Sequence, residues 1–508
     1  MAKAMIYPAG KEVVFHPPVL LYELVRQAGI TLSAPCGGNH TCGKCIVRAG
    51  GALSPVTEEE RVLLRGRDGR LACMAQAVGD VAVQLNDSAQ ASIVTGEQGR
   101  YPTVRTGGYG AAVDIGTTTI CMYLLEFSSG RRLDTLTALN RQQAYGADVI
   151  ARIQHDSKEH ILHECIIAQL NDMLSELKAN NNIASLDGIA VAANTTMLHF
   201  LLGLDASGIA VAPFTPVTLK RVGIPAHQIG ILEDCQVDIL PGIAAYVGAD
   251  ITAGLLTSGL ADRESPALLL DIGTNGEIAL GGKDKIYCCG TAAGPAFEGA
   301  NLSCGTGSVA GAISHVEYDG EELQLQTIFG RPPVGLCGSA VIDLIAILLS
   351  NGLIDETGRL EGEGSLSRYL FETETGEPAF SVCDGVYLTQ RDIREIQLAK
   401  AAIAAGIAVL QKKSSIGTIG KIMIAGGFGY HINYQNAVTV GLLPAIAEED
   451  VLCIGNSSVD GAAFCLLDPA KLRRAEEIVE NCQYIELSCD PDFQEAYIEQ
   501  MYFGEECQ

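Results

Sequence analysis

Gly110-Ala-Ala-Val-Asp-Ile-Gly-Thr-Thr-Thr-Ile-Cys-Met-Tyr-Leu-Leu125 returns later in the chain as Leu268-Leu-Leu-Asp-Ile-Gly-Thr-Asn-Gly-Glu-Ile-Ala-Leu280. Each copy is an apolar strand, an Asp-Ile-Gly-Thr turn and a second apolar strand. A single copy carries little weight, because any tight hairpin can contain it. Two copies at the spacing of half a domain predict two facing hairpins that grip a triphosphate. Gly116 and Gly273 permit close approach of the backbone. Thr117, Thr118, Thr274 and Asn275, with the turn N–H groups, donate to phosphate oxygens, while Asp114 and Asp271 hold Mg2+ through water.

Further along, Lys421-Ile-Met-Ile-Ala reads as a buried strand running into Gly426, Gly427 and Gly429, where a nucleoside can lie against the backbone. Pro241-Gly-Ile-Ala-Ala-Tyr-Val-Gly-Ala-Asp250 places a carboxylate just ahead of the second hairpin. Asp250 is then either a water-activating acid or an ordinary helix-start residue. Residues 187–204 predict a strand, an Asn194-Thr-Thr turn and a helix. Helices are also expected over 144–154 and 389–406, the second capped by Thr389 and Asp392. His160, His163 and Cys165 fall on one expected helix, as its polar and buried faces.

The other informative stretch is Pro35-Cys-Gly-Gly-Asn-His-Thr-Cys-Gly-Lys-Cys45, followed by Cys73 in Arg70-Leu-Ala-Cys-Met74. Three thiols in one glycine-rich loop and a fourth from a distant strand suit an all-cysteine metal centre at Cys36, Cys42, Cys45 and Cys73. Zinc sites usually pair two short C-x2-C knuckles, and only one is present; a Rieske centre needs two histidines, where the loop offers His40. Around it, 11–15, 45–48 and 78–85 read as strands, 20–29 as an amphipathic helix and 57–64 as a helix with a Thr57/Glu60 capping box. Residues 88–108 are rich in Ser, Thr and Gly and read as a linker. Cys288, Cys289, Cys304 and Cys337 match no metal spacing and are expected to be buried thiols.

Composition separates the modules. Residues 1–95 hold 9 Lys/Arg and 8 Asp/Glu, whereas the rest carries 25 against 52. The net charge of -26 argues against nucleic acid or an anionic membrane as partner. No apolar run approaches the ~18 residues of a membrane helix, the longest, 340–349, being broken by Asp343. The N-terminus lacks the apolar core of a signal peptide, so a cytoplasmic location is expected, where 17 cysteines are thiols or metal ligands rather than disulfides.

Residues 3–87 resemble the β-grasp [2Fe-2S] ferredoxins; the first cysteine gap of five, rather than four, is similar to the adrenodoxin-like branch. Residues 109–508 resemble the acetate and sugar kinase, Hsp70 and actin superfamily, whose two ribonuclease-H-like lobes are hinged over ATP. The expected fold class is therefore α+β and α/β, with a ferredoxin-like domain at 1–87, a linker at 88–108, and ATPase lobes at 109–262 and 263–508. Together with Tyr145-Gly-Ala-Asp-Val, Asn194-Thr-Thr-Met and Thr291-Ala-Ala-Gly-Pro-Ala-Phe-Glu-Gly299, these segments resemble the reductive activators of corrinoid proteins. The resemblance implies an ATP-hydrolysing iron–sulfur protein that passes one electron to the Co(II) form of a corrinoid protein of a methyltransferase system, regenerating Co(I). Its expected cofactors are a [2Fe-2S] cluster, ATP and Mg2+; its partners are that corrinoid protein and an electron donor, and a homodimer is compatible with the reading. Longer members carry an extra domain where this chain has only the linker. The alternatives are an activator similar to those of 2-hydroxyacyl-CoA dehydratases, or a small-molecule kinase with a redox sensor.

Overall fold

The computed structural model describes residues 2–7, 10–28, 32, 40, 45–64, 68–85, 99–146, 148–159, 161–429 and 431–504. In the first module the strands run in the order Lys11–Phe15, Ala2–Tyr7, Gln76–Leu85, Ile46–Leu53, Arg70–Leu71. The outermost strands in sequence, Ala2–Tyr7 and Gln76–Leu85, lie parallel in the centre, with Ala4 opposite Val81. Alternation explains the sheet: Ala2, Ala4 and Ile6 face inward with Ala77, Val81 and Val83, and Leu21, Leu24 and Val25 of the helix Leu21–Gln27 close over them. The expected capping box forms in one direction only. Thr57 Oγ1 accepts the Glu60 N–H at 3.1 Å. The Glu60 carboxylate turns inward instead, taking Arg70 Nε and Nη2 at 2.9 Å each and the Leu71 N–H at 2.9 Å. A buried guanidinium binds a carboxylate more strongly than a cap N–H does.

The larger body contains two six-stranded sheets of the same design. In the first, Tyr109–Ile115, Thr119–Glu126 and Arg131–Leu139 form an antiparallel meander. Gly188–Ala193 joins it in parallel, and Gln236–Ile239 lies parallel beyond that. The second repeats this with Ala267–Ile272, Gly276–Gly281 and Ile286–Thr291, then Lys421–Ala425 and Val451–Gly455 in parallel. The repeat visible in the hairpins thus extends to two further strands that share little sequence. Both hairpins are continuous apolar runs because the sheets are covered on both faces.

Two helices cross between the sheets. Ala249–Ser258 follows the first sheet, and its Ile251 and Leu255 pack against Leu269, Ala279 and Met423 of the second. Ser457–Leu467 follows the second sheet and returns Val459, Ala462, Ala463 and Leu466 to the core of the first. At their crossing a Cβ on Gly461 would fall 2.5 Å from Ala253 Cβ, so only glycine allows this approach. The chain from 263 onward therefore also contributes a helix to the core of the first sheet.

The stretch expected as a linker divides. Residues 88–98 lie outside the described residues, but 99–105 are bound to the larger body. Tyr101 N–H donates to Gly130 O at 2.8 Å, Arg132 N–H to Gly99 O at 3.1 Å and Val104 N–H to Leu467 O at 3.2 Å. The Arg105 guanidinium sits 4.5 Å over the Phe127 ring. Residues 99–105 thus form an edge of the body rather than a tether. The helix expected to carry His163 and Cys165 is likewise two, Val149–Glu159 and Leu162–Asn181; His160 lies outside the described residues. Among the described residues no helix is long and apolar enough to cross a membrane.

Candidate functional site

The two Asp-Ile-Gly-Thr turns meet. Thr118 Oγ1 and Thr274 Oγ1 are 3.4 Å apart, although 156 residues separate them in sequence. Each turn is closed by its own backbone: Gly116 N–H donates to Thr119 O at 2.9 Å and Gly273 N–H to Asn275 O at 3.0 Å. The first is also braced from outside. Arg152, fully buried, donates to Thr117 O at 2.6 Å and Gly146 O at 2.9 Å. Gln143 Nε2 donates to Thr118 O, Asn140 Nδ2 to Gly116 O, and Asn194 Nδ2 to Thr117 Oγ1, at 2.7, 2.8 and 3.0 Å. With its carbonyls occupied, the turn is left with its hydroxyl groups and the N–H groups not used within it, the donors an anion needs.

Carboxylates surround this contact. Asp114, at the end of the first strand, accepts from Asn456 Nδ2 at 2.9 Å and Ser458 Oγ at 2.7 Å. Burial raises Asp114 above the usual carboxylate range, while Asn456 and Ser458 pull it down. Asp250 stands in the first turn of Ala249–Ser258, where its Oδ1 accepts the Ile251 N–H at 2.9 Å. Burial, reinforced by Asp114, pushes it up to about 7. It is therefore a helix-start residue and a member of the cleft at once. Asp271 is pushed up to about 7 by burial and by Asp250, Asp114 and Glu298. Glu277, six residues on, is raised well above its usual range by burial, Asp250 and Asp271. Several like charges within one cleft are costly unless a cation joins them, and a divalent cation arriving with a triphosphate fits that need.

The glycines after Lys421–Ala425 answer to different demands. Gly426 has φ +81° and a Cβ there would lie 2.9 Å from Asp271 Oδ1; a Cβ on Gly429 would lie 2.6 Å from Ile424. Both are dictated by packing. Gly427 has open space above it and is the one that leaves room for a ligand.

In the first module the structure brings two of the predicted metal ligands together. Cys45 and Cys73 are buried, and the Cys73 N–H points at Cys45 Sγ, 3.5 Å away. His40 Nε2 pairs with Cys73 O at 3.0 Å. Cys36 and Cys42 lie outside the described residues. Elsewhere Cys288, Cys289 and Cys337 are buried, and Cys337 Sγ donates to Gly307 O at 3.7 Å.

Comparison with known proteins places this geometry. Residues 265–507 match the family described as the C-terminal domain of RACo, the ASKHA domain, and residues 109–263 match the RACo middle region. The corrinoid activation enzyme RamQ of Eubacterium limosum is 34% identical over 423 residues, covering 78% of this chain and 70% of that protein. The chain belongs to the reductive activators of corrinoid proteins. A second member, the Co(II) methylated amine-specific corrinoid protein reductase of Methanosarcina barkeri, is 25% identical over 73% of this chain and 72% of its own. A solved reductive activator for a corrinoid, iron-sulfur protein superposes with a TM-score of 0.71 at 29% identity, covering 99% of this chain and 98% of that one. Residues 265–507 of this activator are thus an ASKHA domain of mixed α/β structure.

Sequence reasoning missed Glu277, Glu298, Arg152, Asn456 and Ser458. Glu277 carried a signal, since it follows the second turn within the repeat. The others act on turns 24 to 344 residues away, and only the fold shows that.

Proposed function

We propose that this chain is an ATP-driven reductive activator. It takes one electron from a donor and delivers it to the Co(II) form of a corrinoid protein of a methyltransferase system. The observation that carries the reading is the 3.4 Å meeting of the two Asp-Ile-Gly-Thr turns. A cleft with donors from both sheets changes the relation of the sheets when a triphosphate enters. Gly116, Thr117, Thr118, Gly273, Thr274 and Asn275 bind the phosphates, and Gly427 leaves room for the nucleoside. Asp114 and Asp271 orient the hydrated Mg2+ that accompanies ATP. Asp250, with its raised affinity for protons, is suited to accept one from the attacking water.

Residues 1–87 form the ferredoxin-like electron module, joined through 88–98. The thiol pair at Cys45 and Cys73, with an N–H directed at sulfur, fits an all-cysteine site completed by Cys36 and Cys42. A [2Fe-2S] group bound there would supply a one-electron donor near roughly -400 mV. The residues around it exclude water and direct an N–H toward sulfur.

Anaerobic purification tests the assignment. The protein should be red-brown with two irons and two sulfides per chain, and Cys73→Ser should lose the colour while keeping ATP turnover. A colourless protein holding one zinc would contradict it.

A further inference from the structure

Glu298 has no part in the scheme above, yet it stands at the meeting of both phosphate turns. Its Oε2 accepts the Thr274 hydroxyl at 2.6 Å, and the Thr118 hydroxyl, 3.4 Å from Thr274 Oγ1, is near enough to favour the charged form of the same carboxylate. Its Oε1 lies 3.8 Å from where a Cβ on Gly273 would stand. A hydroxyl has one proton, so a threonine that donates to Glu298 cannot donate to a phosphate oxygen at the same time. The carboxylate is also held firmly from behind. It ends the short turn Pro295–Glu298, which Gly299 closes at φ +76°. Phe297 of that turn is buried, its ring 4.9 Å from that of Phe428 in the glycine loop after Lys421–Ala425.

We propose that Glu298 is an internal anion, standing between the two turns where the terminal phosphate of ATP binds and displaced when a triphosphate enters. The proposal rests on the nucleotide-site reading above. A carboxylate and a phosphate oxygen compete for the same donors, and four further carboxylates, Asp114, Asp250, Asp271 and Glu277, share the cleft with it. Displacing Glu298 moves the Pro295–Glu298 turn against Phe428, so arrival of the terminal phosphate is felt at the nucleoside end of the cleft. A diphosphate, which does not reach Thr118 and Thr274 together, leaves Glu298 in place.

Titration calorimetry of the full chain with Mg·ATP and with Mg·ADP tests this. Glu298→Gln should tighten ATP binding about tenfold, equivalent to about 1.4 kcal/mol, and leave ADP within about twofold. Glu277→Gln removes a carboxyl group from the same cleft without touching either threonine, and should shift both nucleotides alike. Glu298→Asp, which draws the carboxylate back by one methylene, should fall between wild type and Gln and serves where the Gln variant folds poorly. Weaker ATP binding by Glu298→Gln, or equal gains for ATP and ADP, would overturn the proposal. Failure of the wild type to bind either nucleotide would instead overturn the nucleotide-site reading, and the proposal with it.

Discussion

Asp271 stands where its own charge is costly. Burial and the neighbouring Asp250, Asp114 and Glu298 hold it at about 7, against 3.8 for an unperturbed aspartate. The folded chain therefore keeps a proton between these values that the unfolded chain has released. Stability falls as pH rises through that window, and the full penalty is present above it. Removing the charge in Asp271→Asn should raise the melting temperature at pH 8 by a few degrees, on the order of 1–2 kcal/mol after allowance for the solvated cleft. The gain should vanish near pH 4, and the variant should lose nearly all ATP turnover. A lower melting temperature at pH 8 would mean that Asp271 has a cationic partner. Asp114 and Asp271 were legible because the repeat displays them twice. Arg152 was not, because nothing in its helix signals that its guanidinium ends on a carbonyl of a turn 35 residues back.

The helix Ser457–Leu467 ties the nucleotide cleft to the start of the larger body. Its first turn holds Asp114 through Asn456 and Ser458. One turn on, Asp460 accepts the Tyr101 hydroxyl at 2.5 Å, and Phe464 meets the Tyr101 ring edge-on at 5.7 Å. Any tilt of this helix that follows Asp114 is passed to residues 99–105, the segment leading from the first module. Tyr101→Phe should leave ATP binding within about twofold and lower the yield of Co(I) per ATP several-fold, since an anchor of about 1–3 kcal/mol is lost. An unchanged yield would remove this helix from the coupling. In the first module the Glu60–Arg70 pair has the corresponding structural role. Glu60→Ala strands a buried guanidinium, at a cost of about 3–5 kcal/mol, and should bleach the iron–sulfur absorbance while ATP turnover persists. Strands and caps were legible from alternation and spacing: Lys11–Phe15 forms as expected, and Thr389 and Asp392 make a full capping box. The return of Ser457–Leu467 to the first sheet was not, because its small, apolar surface suits either core.

At the scale of the whole molecule, a nearly neutral stretch of 95 residues is followed by 413 residues with 52 acidic and 25 basic side chains. Such different surfaces suit different contacts. A one-electron step uphill by roughly 150 mV costs about 3.5 kcal/mol, within reach of a nucleotide-driven change in one partner's state. The ASKHA part was legible from one short motif, the repeated turn. The coupling of the modules lies in contacts between distant segments and required the fold. The decisive measurement is the visible absorbance of Co(I), followed anaerobically when the full-length chain, a mild electron donor and a Co(II) corrinoid protein are mixed with and without Mg·ATP. The account predicts Co(I) only with Mg·ATP, and none with Asp114→Asn although its iron–sulfur spectrum is intact. Equal Co(I) with and without nucleotide, or undiminished Co(I) from Asp114→Asn, would contradict it.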